Sequence, residues 1–402
     1  MITDTCKMMI GKFKSETLIN KLKIIWLLLF IPGLVGIIIK LVTGERMAGY
    51  GSYVPWGIWI AVYFHAIGIS GGAFAVGAIG YLRGIRGFKE NLRVTLLVSA
   101  VSLMTGLLAI WLDLGHQFRF YRILVSPNFG SMLAFNAWMY GIFLALVGLI
   151  FYLSLGTASK NNVNDRTGWL VPLLVLGVFL SVAYPSQSGA FFGVVDAKPF
   201  WSSAILPVLF LTSAVTSGAS AMILVHYYLL GESSKSMNGE TEPFLFLRKI
   251  TIAGIIIYFL GEFSEYSLAL WSPISHIKET IMLVLFGRFW WVFWIIHVCG
   301  SIIGFYLLLF KSRSLNMVAL GALIIVTSFI STRLNILIPG QSIPELRGLN
   351  EAFTHARLNF NYSPTIVEYL ITLFVISFGL AMFYFGHRFL TEYIEKHDEG
   401  QQ

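Results

Sequence analysis

The chain has 402 residues, of which 56% are hydrophobic and only 12% charged, about half the charged fraction of an ordinary soluble domain (roughly 25%). Lipid is therefore the expected solvent, and a soluble enzyme is excluded. Cys6 and Cys299 are two cysteines where an iron–sulfur cluster or structural zinc takes four protein ligands, and the net charge of +8 sits in short connections between apolar runs, so it marks topology rather than nucleic acid.

In chain order, a basic tail (1–23) carrying Lys7, Lys12, Lys14, Lys21 and Lys23 precedes an apolar stretch from Ile24 to Val42. That stretch is too long for the apolar part of a secretory signal, and Thr43-Gly44-Glu45-Arg46 offers no small-residue cleavage site, so it reads as a retained first helix. Apolar runs long enough to cross a hydrocarbon core of about 30 Å then recur to the end. They predict helices over 24–42, 54–82, 93–114, 132–155, 169–185, 202–230, 249–271, 287–310, 315–338 and 364–390, with turn-rich joins such as Ser126-Pro127-Asn128 and Pro339-Gly340 between them. The expected fold is an all-α integral membrane protein of about ten transmembrane helices, ending in a tail over 391–402.

Basic residues set the orientation. Of the 28 Lys and Arg residues, 18 fall on the side of the N-terminus; nine (Lys40, Arg46, Arg119, Arg122, Lys198, Lys278, Arg288, Arg347 and Arg357) fall on the other, and Arg333 lies within a helix. Both termini are thus expected in the cytoplasm and the protein in the cell (inner) membrane. A weak internal echo joins the second and third helices to the sixth and seventh: Ser70-Gly71-Gly72-Ala73 returns in kind as Ser217-Gly218-Ala219-Ser220, and Asp113 finds an acidic counterpart in Glu262 or Glu265. A displacement of four helices keeps the orientation, so the echo predicts two four-helix bundles, helices 2–5 (54–185) and 6–9 (202–338), flanked by helices 1 and 10. The competing explanation is that small residues recur wherever membrane helices approach closely.

An ionisable group at the bilayer centre costs roughly 2.5 to 3.5 kcal/mol on insertion scales, so each one needs a partner, a cavity or a task. His65, Asp113, Glu262, Glu265, Arg333 and Asn335 all fall in the outer half of this topology. A quinone site needs an apolar slot, polar groups for the ring oxygens and a proton acceptor; His65 suits the first polar role and Asp113 the proton acceptor. Against this stand an interhelical hydrogen bond for His65 and pairing with Arg119 or Arg122 for Asp113. Glu262, Glu265, Arg333 and Asn335 read either as a second polar site or proton path, or as a buried ion pair joining helices seven and nine. Haem would need histidines at matching depth on facing helices; nothing pairs His65 with His297, and no haem or iron–sulfur cluster is expected in this chain.

Tyr53-Val54-Pro55-Trp56-Gly57 through Ser70-Gly71-Gly72-Ala73-Phe74, then Leu112-Asp113-Leu114-Gly115 with Arg119-Phe120 and Ser126-Pro127-Asn128-Phe129, resemble the NrfD or polysulfide reductase membrane-subunit family. Arg333-Leu334-Asn335 and Tyr362-Ser363-Pro364 with Glu368-Tyr369 are similar to its ten-helix branch, which includes membrane subunits of hydrogenase 2 and Dsr complexes. The resemblance implies a subunit that binds menaquinone or ubiquinone, carries no redox cofactor of its own, and exchanges electrons with a ferredoxin-like iron–sulfur partner on the outer face and, through it, with a catalytic redox subunit. It also implies a quinone headgroup near the histidine of the first core helix and the aspartate of the next, here His65 and Asp113. His116-Gln117 departs from the Arg-Pro of many relatives, so no role carries over to that connection. Two other readings compete: a secondary transporter or ion-translocating protein, and a purely structural membrane anchor of an electron-transfer complex.

Overall fold

The computed structural model describes residues 2–126, 128–156, 163–229, 241–346, 348–353, 355 and 357–399. Pro127 of the expected turn, Lys160, Lys235 and Arg347 of the charge count, and the end of the C-terminal tail lie outside them. Among the described residues, ten helices are long and apolar enough to cross a membrane: α1 (Lys23–Met47), α2 (Ile58–Leu82), α3 (Leu92–Asp113), α4 (Met132–Leu155), α5 (Gly168–Gly193), α6 (Leu206–Leu229), α7 (Glu242–Leu270), α8 (Val292–Phe310), α9 (Leu315–Gln341) and α10 (Ile366–Tyr393). The protein is an integral multi-pass membrane protein. Helices are the natural solution because lipid cannot satisfy a backbone N–H or C=O, and a helix satisfies both within itself. α1 and α10 run antiparallel, Trp26 lying against Ser377 and Gly36 against Leu370, so Lys23 and Tyr393 share one face, called the termini face; the opposite one is the distal face.

α2 is the centre of the molecule, with 89% of its apolar window buried against 17% for α1. It packs on α3, α5 and α6, while α6 packs on α5, α7 and α9, and α8 on α9. α1 and α10 pair with each other, α10 also lying along α3. The recurring small-residue motifs meet between α2 and α6. A Cβ at Gly72 would fall 2.0 Å from the Ala214 carbonyl oxygen, and one at Gly218 would fall 2.3 Å from the Ala73 nitrogen. Ser70-Gly71-Gly72-Ala73 and Ser217-Gly218-Ala219-Ser220 are therefore two sides of one backbone contact between α2 and α6, the role small residues take in membrane helix packing.

Several helices differ from the sequence expectation at their ends. α5 continues to Gly193 rather than stopping at Pro185; in a membrane helix the carbonyl a proline frees is tolerated where neighbours enclose it, and Pro185 packs at Gly71. α7 starts at Glu242, seven residues before the expected 249, because Thr241 and Pro243 open the helix ahead of its basic residues. The helix of α1 extends back to Ile2 through the basic tail. Two irregularities have no sequence signal: Val292–Cys299 at the start of α8 is π-helical, and α9 is interrupted at Phe329, between Leu315–Ser328 and Ile330–Gln341.

Candidate functional site

Polar side chains collect toward the distal face. At 1.5 Å rise per residue, His65 lies about 10 Å into α2, and Glu262, His297 and Arg333 lie at comparable depths from the distal ends of α7, α8 and α9. Asp113 is the last residue of α3, nearer the distal surface. The residues singled out in the sequence fall into three neighbourhoods.

His65 turns toward α9. Its Nε2 is 2.8 Å from the Val326 carbonyl oxygen. A carbonyl only accepts, so Nε2 carries the hydrogen, and the Nδ1 of the neutral ring is left as a hydrogen-bond acceptor. Arg333 is the charge that acts on this imidazole.

Asp113 turns toward α1 and α10. The charges acting on it are Glu45, Lys40 and Glu368, and among the described residues it forms no ion pair with Arg119 or Arg122. Its Oδ1 is buried with no hydrogen-bond partner among the described residues. Around it, Lys40 is buried, pairs with Glu45 and sits 4.5 Å from the centroid of the Trp59 ring; Tyr50 donates its hydroxyl to Glu45. Burial, and then that bond, push the Tyr50 phenol above its ordinary range.

Glu368 ties this neighbourhood together. The Thr365-Ile366-Val367-Glu368 spacing forms a capping box at the start of α10: the Thr365 N–H donates to Glu368 Oε2 at 2.8 Å, and the Glu368 N–H donates to Thr365 Oγ1 at 3.3 Å. The same Oε2 accepts the Gly49 N–H at 2.9 Å, and Oε1 accepts the Tyr362 hydroxyl at 2.7 Å. That hydroxyl in turn accepts the Ile58 N–H at 2.9 Å, one of the four N–H groups a helix start leaves unpaired. One carboxylate thus fixes the 48–57 segment, the start of α2 and the start of α10. The capping-box spacing was visible in the sequence; the reach back to Gly49, 319 residues away, was not.

The third neighbourhood lies inside α6–α9. His297 Nε2 is 2.9 Å from Glu262 Oε2, with both side chains buried, and the Tyr258 hydroxyl donates to Glu262 Oε1 at 3.2 Å. Glu262, Glu265 and Arg333 take different partners, and among the described residues no ion pair links them. Arg333 donates from Nη2 to the Phe210 carbonyl at 3.1 Å and lies 3.7 Å from the centroid of the Phe210 ring, a cation–π contact. Glu265 accepts from the Ser203 hydroxyl at 2.8 Å. Neither nitrogen nor oxygen of the Asn335 amide has a partner among the described residues. His297 as the partner of Glu262 is the functional candidate the sequence did not reveal.

The family model for polysulphide reductase, NrfD, matches residues 47–345. The chain belongs to the NrfD family. The NrfD match spans α2 to α9 and every distal connection between them, and stops short of α10 and Glu368. Curated relatives extend over more of the sequence. A subunit of the selenate reductase of Mesobacillus selenatarsenatis is 29% identical over 385 residues, with 88% of this protein and 89% of the relative covered. The Hdr-like menaquinol oxidoreductase integral membrane subunit of Archaeoglobus fulgidus is 24% identical, with 84% and 85% covered. One chain of the polysulfide reductase of Wolinella succinogenes is 25% identical over 46% of this protein and 62% of its own length.

Proposed function

We propose that this NrfD-family chain is the quinone-binding membrane subunit of a respiratory oxidoreductase complex. It exchanges electrons between menaquinone or ubiquinone in the cell membrane and a ferredoxin-like iron–sulfur subunit docked on the distal face, behind which stands a catalytic redox subunit. With both termini in the cytoplasm, the distal face is the outer one. The observation that carries this reading is Asp113, a carboxylate with a buried, unpartnered oxygen at the distal end of α3. A buried acceptor in that state costs about 1–3 kcal/mol unless a donor arrives, and a quinol hydroxyl is such a donor.

His65 supports the same assignment. With Nε2 held on Val326, its Nδ1 is left as an acceptor, matched in chemistry to the hydroxyl of a reduced quinone. Bound quinol supplies electrons together with protons. His65 holds and orients the headgroup; Asp113, nearer the distal water, receives and releases the proton. The menaquinol oxidoreductase named among the relatives acts on a substrate of this chemistry.

The test is binding of a quinol analogue to the purified complex, read by tryptophan fluorescence, in wild type, His65→Ala and Asp113→Asn. The expected result is saturable binding, weakened about tenfold or more, about 1.4 kcal/mol, in variants that still assemble. Unchanged binding in both variants sinks the assignment of these residues; no binding in wild type sinks the quinone reading itself.

A further inference from the structure

Helices α6–α9 hold most of the buried polar atoms that lack a partner among the described residues. Among the described residues, ten buried side-chain nitrogens and oxygens have no hydrogen-bond partner, and eight of them belong to Ser217, His226, His297, Ser301, Arg333 and Asn335 on α6, α8 and α9. In α2–α5 the comparable groups close on one another. Ser70 and Ser99 bond reciprocally at 2.7 and 3.0 Å, Tyr184 donates to Ser70 at 3.0 Å, and Tyr63, Tyr140 and Ser188 form a chain of 3.0 Å contacts. Buried polar atoms in native proteins are nearly always partnered, by protein or by internal water making about three bonds. Unpartnered buried atoms are thus concentrated in α6–α9, with Asp113 and Asn136 holding the two in α2–α5.

We propose that Glu262 and His297 form a proton-loading site and that it exchanges protons with the termini face along α6. The pair has the required chemistry. Both Glu262 oxygens are engaged, by Tyr258 and by His297, so an added proton is shared between carboxylate and imidazole without either losing its hydrogen bond. His297 is fully enclosed, stacked on Phe259 at 4.9 Å between centroids and flanked by Tyr258, Phe293 and Phe329. It is placed on the π-helical stretch 292–299, a local form found mostly at functional positions. Its Nδ1 is the atom left to pass a proton on. Tyr258 and His297 touch Glu262 directly; Glu262 and Arg333 both act on Tyr258, and Glu262 and Glu265 both act on Tyr266. Glu265 is held by Ser203, and Arg333 by the Phe210 carbonyl and ring.

The route begins at a surface cavity of about 660 Å³ on the termini face, lined by Arg86, Glu90, Asn91, Glu242 and His226 among others. His226 is 6% exposed; its Nδ1 donates to the Met222 carbonyl at 2.9 Å, and its Nε2 is buried without a partner. Toward the distal face α6 then carries the buried hydroxyls of Ser220, Ser217, Thr216 and Ser213. From Ser220 to Ser213 these positions stand three or four apart, with Cβ atoms about 5–6 Å from one another; His226 and Ser220 are six positions apart, about 9 Å of helix rise, so that step takes more than one water. Ser213 donates at 3.0 Å to the Phe210 carbonyl, the same oxygen that accepts Arg333 at 3.1 Å. Arg333 and Glu262 both act on Tyr258, which closes the line. This inference does not depend on where quinone binds.

The experiment uses the full chain in lipid nanodiscs and infrared difference spectroscopy after a pH jump, following the C=O stretch of a protonated carboxyl. The expected result is a titrating band that Glu262→Gln removes and Tyr258→Phe, which deletes only the bond to Oε1, shifts in frequency. His226→Leu slows the rise of that band about tenfold or more with its final amplitude unchanged, while His387→Leu, on the same face but off the route, leaves the rate at the wild-type value. The loading site is overturned by a wild type without a titrating band, or by a band that neither Glu262→Gln nor Tyr258→Phe alters. The α6 route is overturned if His226→Leu matches wild type or if His387→Leu slows the band equally.

Discussion

His297 Nε2 and Glu262 Oε2 stand 2.9 Å apart, buried between α7 and α8. Removing one member of a buried pair leaves the other uncompensated and costs about 3–5 kcal/mol, whereas replacing both with apolar groups costs far less. His297→Leu and Glu262→Leu are each expected to lower thermal stability in detergent strongly. The double variant is expected to recover part of it, with a coupling of about 1–3 kcal/mol. Additive losses in a double-mutant cycle would show that the two side chains do not interact.

The contact of α2 with α6 predicts a sharp positional effect of a single methyl. Gly72→Ala and Gly218→Ala each drive a Cβ into backbone atoms of the facing helix. Backbone cannot swing aside as a flexible side chain can, so each is expected to cost at least the roughly 1–3 kcal/mol of ordinary overpacking. Gly141→Ala, on α4 with nothing within 4 Å of the added carbon, is expected to be neutral or mildly stabilising. Equal melting temperatures for the three variants would refute the close approach.

Alkaline pH gives a third test. Burial, followed by a carboxylate partner, raises the Tyr50 and Tyr362 phenols above their ordinary range. In the unfolded chain both ionise near pH 10; in the folded protein they keep their protons beyond it. Above about pH 10 the unfolded state therefore binds fewer protons, and stability falls as pH rises, with nothing lost below that point. Tyr362→Phe is expected to flatten part of this alkaline slope while losing about 1 kcal/mol at neutral pH from its bonds to Glu368 and Ile58. An unchanged slope in melting temperature against pH is the contrary outcome.

The ten spans were readable in the sequence because lipid imposes a length and composition that little else does. Their ends were less so: Pro185 reads as a stop, yet α5 passes through it. Trp59 looks like an interfacial belt residue, but it is 2% exposed and donates to the Glu368 carbonyl at 3.0 Å, a partner brought near only by folding. The polar residues were found because charge in a membrane is conspicuous. Their partners were not, because Glu262 and His297 are 35 residues apart, and helix rotation, which periodicity constrains poorly in an apolar run, decides who faces whom. An ion pair of Glu262 or Glu265 with Arg333 was one of the two readings the sequence allowed; the arginine meets an aromatic ring and a backbone carbonyl instead.

The pairing of α1 with α10 has a consequence for how the molecule is made. Gly33 and Gly36 lie against the backbone at Phe374 and Leu370, and the Trp26 indole donates to the Ser377 carbonyl at 2.8 Å. α1 is thus matched to a helix whose contact residue lies 351 positions further on, so it gains this partner only after α10 has entered the bilayer.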